Sequence, residues 1–399
     1  MRITAVIALG VLVFAAVASA APDDITILIS IDGFRADYLD RGITPVMTGL
    51  ARNGVRSAME PSFPSVTFPN HFTLITGLYP DHHGIVDNHF EDKALGRVWD
   101  PRDPFDPVWW KGVTPLWATA EAQGVRSASM FWPATGADAQ GRQPALAVSF
   151  TPDVPMDQES AQVLAWLDLP AAQRPHFILL YFFYVDHVGH DAGPDGPATE
   201  TAIGQADAAL GKLVDGLKQR NLFDRTNIIV VADHGMAAIS RNQVTELDDL
   251  VNIDHVHVIT EGALAGLEPK PGFAPEVEKA LLGRHNHMSC WKKARLPRRF
   301  HYGSNPRIPP ILCLADEGWE VQTKASGRPG DEHGNHGFDP ANPSMAAVFV
   351  AHGPAFRRGI TWPKFSNVDV YALLARVMGV KPLPSDGSLA DVKGMLTSP

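Results

Sequence analysis

Apolar residues fall along this chain in short continuous runs instead of single alternating positions. ITILISI (25–31), FILLYFFYV (177–185), NIIVVA (227–232) and MAAVFVA (345–351) are each rich in β-branched or aromatic side chains. Runs of this length suit strands covered on both faces, as in a parallel sheet between layers of helices. Between them, TPLWATAEAQG (114–124), SAQVLAWLDL (160–169) and AIGQADAALGKLVDGLKQR (202–220) carry apolar residues at helical spacing. The alternation predicts an α/β fold: a doubly wound, mainly parallel sheet with helices on both faces. Residues 240–330 break the pattern, with several prolines, both cysteines and the basic stretch WKKARLPRRFHYGSNPR (291–307). They read as a small inserted cap region on a single domain spanning 21–399, and the basic stretch reads as a solvated face.

The polar residues at the ends of these runs change the picture. Three runs lead into an aspartate: Asp32, Asp186 and Asp233. In open α/β sheets ligands bind beyond the carboxyl ends of the strands, so three acidic residues there predict one shared site. A single aspartate could simply cap a helix. Here each has partners. His190 follows Asp186 by four residues and shares its face in a helical turn. His234 adjoins Asp233, and Gly235 marks the strand's end. DEHGNHGF (331–338) adds His333 and His336 in a glycine-rich loop. Carboxylate and imidazole without thiolate suit zinc, and two sets of three protein ligands leave each ion open for chemistry. His82, His83, His89, His255, His257 and His287 read as surface or packing residues.

A hydroxyl-rich stretch, PSFPSVTFPNHFTLITG (61–77), offers Ser62, Ser65, Thr67, Thr73 and Thr76 as nucleophiles. Pro69 suits the first turn of a helix over NHFTLITGL, whose amino end supplies backbone donors to an anion. No G-x-S-x-G elbow or Ser-His-Asp order accompanies it, so an alcohol nucleophile here needs another activator.

Composition narrows the partners. The 399 residues carry a net charge of −10, which gives no general attraction to nucleic acid or anionic membrane. MRITAVIALGVLVFAAVASA has a short basic start, an apolar core and an A-x-A ending, the pattern of a cleaved signal peptide over residues 1–20. No other run approaches the length of a transmembrane helix. The chain is therefore expected to be periplasmic or secreted, where Cys290 and Cys313 form a disulfide.

ISIDGFRADYL, TPVMTGLARNGV, PSFPSVTFPNHFTLITGLYPDHHGIVDN, YFFYVDHVGH, VADHGM and EHGNHGF together span residues 28–338. In content and order the chain resembles the nucleotide pyrophosphatase/phosphodiesterase family of the alkaline phosphatase superfamily. The resemblance implies an alkaline-phosphatase-like fold and two Zn2+. Asp32, Asp233 and His234 would hold one ion, which also contacts the nucleophile Thr67. Asp186, His190 and His336 would hold the other, with His333 only a neighbour. Asn88 stands where the family places an amide donor to a non-bridging phosphate oxygen. Phe68 and Tyr181 look like the aromatic pair flanking a nucleobase. The implied reaction is hydrolysis of phosphodiester or phosphoanhydride bonds, of nucleotides first, through a covalent phospho-threonine.

Charge counting points the same way. Two zinc ions and three carboxylates leave about one positive charge, which matches a singly charged diester. No Arg or Lys lies between Arg56 and Asp92 to meet the second charge of a monoester. Lysophospholipid or choline-phosphate diesters, and monoesters on the same metals, are the alternative substrates. The C-x-P-x-R pattern of sulfatases is absent.

Overall fold

The computed structural model describes residues 24–99, 106–110, 112–133, 135, 143–326 and 332–398. The predicted leader, residues 1–20, lies outside them. The strands that matter are β1 (Ile25–Ile31), β2 (Val55–Glu60), β3 (Ser127–Met130), β4 (Leu146–Val148), β5 (Phe177–Phe182), β6 (Thr226–Val231), β7 (Val256–Thr260), β8 (Leu264–Pro269), β9 (Met288–Lys292), β10 (Ile311–Ala315) and β11 (Ala347–His352).

The main sheet runs β2-β11-β6-β1-β5-β3-β4, with Ile360–Thr361 and Phe365–Ser366 also pairing with β2. β1 lies parallel between β5 and β6, with Ile31 level with Phe182 and Ser30 level with Val231. β1, β5 and β6 are buried along their whole length, so their unbroken apolar runs are what burial on both faces demands. β11, the fourth apolar run, is antiparallel to both β2 and β6. The sheet is thus mainly parallel, around a central triplet whose three strands all deliver their carboxyl ends to one edge.

Five helices bear on the argument: α1 (Thr67–Thr76), α2 (Leu116–Glu121), α3 (Met156–Leu167), α4 (Tyr184–Ala192) and α5 (Pro197–Gln219). α5 starts five residues ahead of its apolar periodicity because Pro197 is suited to a first helical turn. The run FILLYFFYV divides: the strand stops at Phe182 and α4 begins at Tyr184. Asp186 therefore sits in the first turn of a helix, not at the end of a strand.

Residues 244–322 build a second layer. β7, β8, β10 and β9 form an antiparallel sheet in that order, extended by Gly283–Arg284. Cys290 and Cys313 oppose each other in the β9–β10 register and form a disulfide. Around the basic stretch, Lys292 pairs with Glu278, Arg299 with Asp339 and Arg307 with Asp92, while Lys293 donates to the carbonyls of Asn305 and Ile308. Beyond this sheet the chain returns through Gly334–Asn335, which pairs antiparallel with Ala237–Ala238 just after β6. Among the described residues no helix is long and apolar enough to cross a membrane.

Candidate active site

Asp32 follows β1 directly and is held at the sheet edge by its own amide, which donates to the Phe182 carbonyl at 2.9 Å. The next residue must be glycine. Gly33 has φ +64°, and a Cβ on it would lie 2.9 Å from Asp186 Oδ1 and 3.0 Å from Asp186 Cα. That close approach lets β1 and α4 bring two carboxylates together. Gly235 does the same after Asp233 and His234, where a Cβ would meet the Ser344 carbonyl oxygen at 2.0 Å.

The carboxylates and rings converge. Asp186, His190 and His336 form one group, Asp32, Asp186 and His234 a second, and Asp32, His71 and Asp233 a third, each with ligand-type atoms within 4.8 Å of one another. His234 Nε2 lies 3.0 Å from Asp233 Oδ2 and 3.5 Å from Asp32 Oδ1. His190 Nε2 lies 3.4 Å from Asp186 Oδ2, and His336 Nε2 lies 3.7 Å from Asp186 Oδ1. The His234 and His336 rings stack with centroids 3.6 Å apart. The two predicted ligand sets are therefore contiguous, sharing a border at Asp32 and Asp186.

Each histidine of the cluster is oriented from behind. Nδ1 of His190 donates to the Gly334 carbonyl, Nδ1 of His234 to the Gly235 carbonyl, and Nδ1 of His336 to the Ser65 carbonyl. A carbonyl only accepts, so each Nδ1 carries a proton and each Nε2 is the nitrogen turned toward the carboxylates, the one that would ligate a metal once deprotonated. His71 is different. Its Nδ1 donates to the Thr67 carbonyl at 2.9 Å and its Nε2 meets Ser30 Oγ at 2.9 Å, so both nitrogens are occupied. It braces α1 from below.

These donors fit divalent metal. Asp32 Oδ1, Asp186 Oδ1 and Asp233 Oδ2 are buried and lack any hydrogen-bond partner. Burial, and then the neighbouring Asp233 and Asp186 carboxylates, push Asp32 well above the usual carboxylate range. Burial acts against ionisation of Asp233 too, but the His234 and His71 rings hold it down at about 2. Three carboxylates this close, with orphaned oxygens, are what a positive charge would complete.

Of the five hydroxyls in residues 61–77, four are committed elsewhere. Ser62 donates to Asn367 Oδ1, Ser65 to the Phe338 carbonyl, Thr76 to the Phe72 carbonyl, and Thr73 Oγ1 meets His83 Nε2. Thr67, the first residue of α1, meets His234 Nε2 at 3.3 Å. The expectation of several helix-end donors needs correction. The Phe68 amide donates to Asn88 Oδ1 at 2.8 Å, Pro69 has no N–H, and the Asn70 amide bonds the Val66 carbonyl. Fixing Asn88 through its oxygen leaves its Nδ2 as the end that can donate to a ligand.

Tyr181 also needs correction. It is 7% exposed, and its hydroxyl donates to Asp32 Oδ2. Its ring is closed in by His71 at 5.0 Å and Phe150 at 6.1 Å, so it has no open face for a base. A more exposed aromatic beside it is Phe150, 48% exposed and resting on Phe131, Phe183 and Tyr181. It had no motif around it to announce it. Phe68 is half-buried, its ring packed edge-on against the buried Trp99. His333 donates Nδ1 to the Asp191 carbonyl and stays outside the cluster.

This arrangement has counterparts among known proteins. Residues 26–339 match the profile of the Type I phosphodiesterase / nucleotide pyrophosphatase family. The chain belongs to this family. An uncharacterized pyrophosphatase/phosphodiesterase of Schizosaccharomyces pombe is 37% identical over 379 residues, covering 91% of this chain and 78% of that protein. Human ectonucleotide pyrophosphatase/phosphodiesterase family member 5 is 34% identical over 378 residues, covering 93% and 78%. The solved structure of murine ectonucleotide pyrophosphatase/phosphodiesterase 5, an inactive threonine-to-alanine variant in complex with AMP, superposes with a TM-score of 0.89 at 34% identity, covering 94% of this chain and all of that one. The fold is accordingly alkaline-phosphatase-like, and the chain is an enzyme of the phosphodiesterase/nucleotide pyrophosphatase class.

Proposed function

We propose that this enzyme hydrolyses phosphodiester or phosphoanhydride bonds of nucleotides, with Thr67 as nucleophile. The observation that carries the assignment is the 3.3 Å contact between Thr67 Oγ1 and His234 Nε2 at the border of the carboxylate–histidine cluster. The murine relative, inactive as a threonine-to-alanine variant and bound to AMP, supports both the nucleophile and the substrate class.

Asp32, Asp233 and His234 would hold one ion, and Asp186, His190 and His336 the other; the donor set suits zinc. Bound there, the pair supplies Lewis-acid stabilisation of the attacking and leaving oxygens. Thr67 Oγ1 attacks phosphorus in line, and the leaving oxygen departs with its electron pair opposite it. The product is a phosphoryl-threonine diester, which water hydrolyses to free Thr67 and a monoester. Asn88, held through its oxygen, donates Nδ2 to a non-bridging oxygen. Tyr181 positions Asp32, and His71 holds the first turn of α1. Phe68 and Phe150 offer a nucleobase its aromatic surfaces, which favour a base without selecting one.

Among the described residues no Lys or Arg contacts this cluster, which favours a singly charged diester over a monoester. Export to the periplasm or medium is supported by the leader pattern and by the disulfide. The test is replacement of Thr67 with acid-quench trapping. Thr67→Ala is expected to lower kcat on a nucleotide diester by about 10³-fold or more. Peptide mapping of quenched wild type should find phosphate on Thr67. Label on another hydroxyl, or dominant turnover of an aryl monoester, sinks the assignment.

A further inference from the structure

The cluster has two ends. Thr67 touches the His234 end, so in an in-line displacement the leaving group departs on the side of Asp186, His190 and His336. On that side opens a cleft of about 420 Å³. Its inner wall includes His190, His336 and Asn88, and its outer wall comes from the turn between β7 and β8, residues 259–264.

Apart from the histidines His89, His190 and His336, the charged residues on this cleft are acidic. Asp87 and Glu261 line it, and among the described residues no Lys or Arg does. Among the described residues Glu261 accepts from the Thr323 amide and from Ser326 Oγ, and no Lys or Arg is paired with it. Glu332 lies close enough to act electrostatically on both His190 and Glu320. Burial pushes the Asp87 carboxyl up to about 7, and Glu261 is the second carboxyl on the lining. Three cations of the neighbouring basic stretch are engaged elsewhere: Arg299 with Asp339, Arg307 with Asp92 and Lys292 with Glu278. Neutral hydrogen-bonding groups, Thr260 and Asn335, complete the lining.

We infer that this cleft receives the leaving group and selects against anionic ones, so that the preferred substrates are nucleotide esters of uncharged alcohols and not nucleoside triphosphates. The inference rests on the reading of Thr67 as nucleophile. In the step itself the Thr67 Oγ1–P bond forms as the P–O bond to the alcohol breaks. The leaving oxygen keeps the bonding pair and takes up one proton, the equivalent of that lost from Thr67. For a triphosphate the departing group is pyrophosphate, whose several negative charges would enter beside Glu261. A like-charge pair separated by roughly 5–8 Å in a water-filled cleft weakens binding several-fold, and salt reduces the penalty.

Binding without turnover separates this from leaving-group reactivity. Thr67→Ala protein is titrated calorimetrically with thymidine triphosphate and with the p-nitrophenyl ester of thymidine 5′-monophosphate, which share one nucleoside phosphoryl group. The expected result is a Kd about tenfold or more weaker for the triphosphate, narrowing as ionic strength rises. Adding Glu261→Gln, which keeps an oxygen acceptor for the Thr323 amide, should narrow the ratio about threefold or more, and Glu261→Lys should narrow it further. Equal or tighter binding of the triphosphate overturns the inference, as does a ratio unmoved by both Glu261 variants in protein that melts normally. If only these fail while wild type still forms phosphate-labelled Thr67, the proposed function stands. If neither ligand binds and no label forms, both readings fall.

Discussion

Two aromatic rings 6.1 Å apart are expected to behave quite differently on mutation. Tyr181 reaches the site only through Asp32, so Tyr181→Phe leaves the ring packing intact and removes one hydrogen bond from a candidate ligand. Loss of such a supporting bond is expected to cost about 10–100-fold in kcat/KM or metal affinity. Phe150 touches no candidate ligand, and in the proposed function its exposed ring meets the substrate. Phe150→Ala should raise KM for nucleotide substrates about tenfold while moving kcat much less. Steady-state kinetics with metal content measured on the same preparations checks both. A KM effect from Tyr181→Phe with unchanged metal content would restore its stacking role. The sequence marked Tyr181 as aromatic and near Asp186, but a hydroxyl aimed at Asp32 is a product of the β1–β5 register and cannot be read from either segment alone.

At the scale of elements, helix α3 carries an unexpected group. Glu159 is fully buried and neither carboxylate oxygen has a hydrogen-bond partner. Burial pushes its carboxyl up to about 8. In the unfolded chain a glutamate ionises near 4.3, so between these values the folded state holds more protons than the unfolded one. Stability is therefore full below about pH 4 and falls as pH rises towards 8. Glu159→Met removes the titration and is expected to flatten that part of the curve. Denaturant unfolding at pH 5 and pH 9 should show wild type losing roughly 4 kcal/mol more than the variant. Parallel loss in both would place the pH dependence elsewhere.

The same scale shows why the fold was largely legible. Buried parallel strands need long apolar runs, and β1 and β6 begin and end within one residue of the runs read for them. The run FILLYFFYV extends past its strand because Tyr184 and Val185 are apolar for a different reason: they open α4 and place Asp186 in its first turn. Hydrophobicity alone does not separate those cases. The candidate ligands were legible because strand ends, an i,i+4 pair and a glycine break are local signals. Phe150 and the acidic cleft were not, since both depend on which surfaces the second sheet leaves open.

For the molecule as a whole, the Cys290–Cys313 disulfide closes a loop of sequence separation 23 within that second sheet. Replacing both cysteines with alanine frees the unfolded chain and should lower stability by about 3 kcal/mol. Denaturant melts of the variant and of reduced wild type should agree, and activity at low temperature should persist because no candidate ligand lies on β9 or β10. Loss of activity in fully folded variant protein would tie the sheet directly to the chemistry.

The two-residue ladder between Ala237–Ala238 and Gly334–Asn335 acts as a clasp. It brings the chain back beside His234 after almost a hundred residues and delivers His336 to the cluster. Everything between the two sides of the clasp enters and leaves the scaffold at nearly one point. We propose that this segment is an inserted cap, whose loops can lengthen, shrink or change without disturbing the reacting atoms. The turn between β7 and β8 is part of that insertion and walls the cleft. On the leaving-group inference, the chemistry and the choice of leaving group could drift independently, and chimeras that exchange the segment between the two sides of the clasp would transplant one without the other.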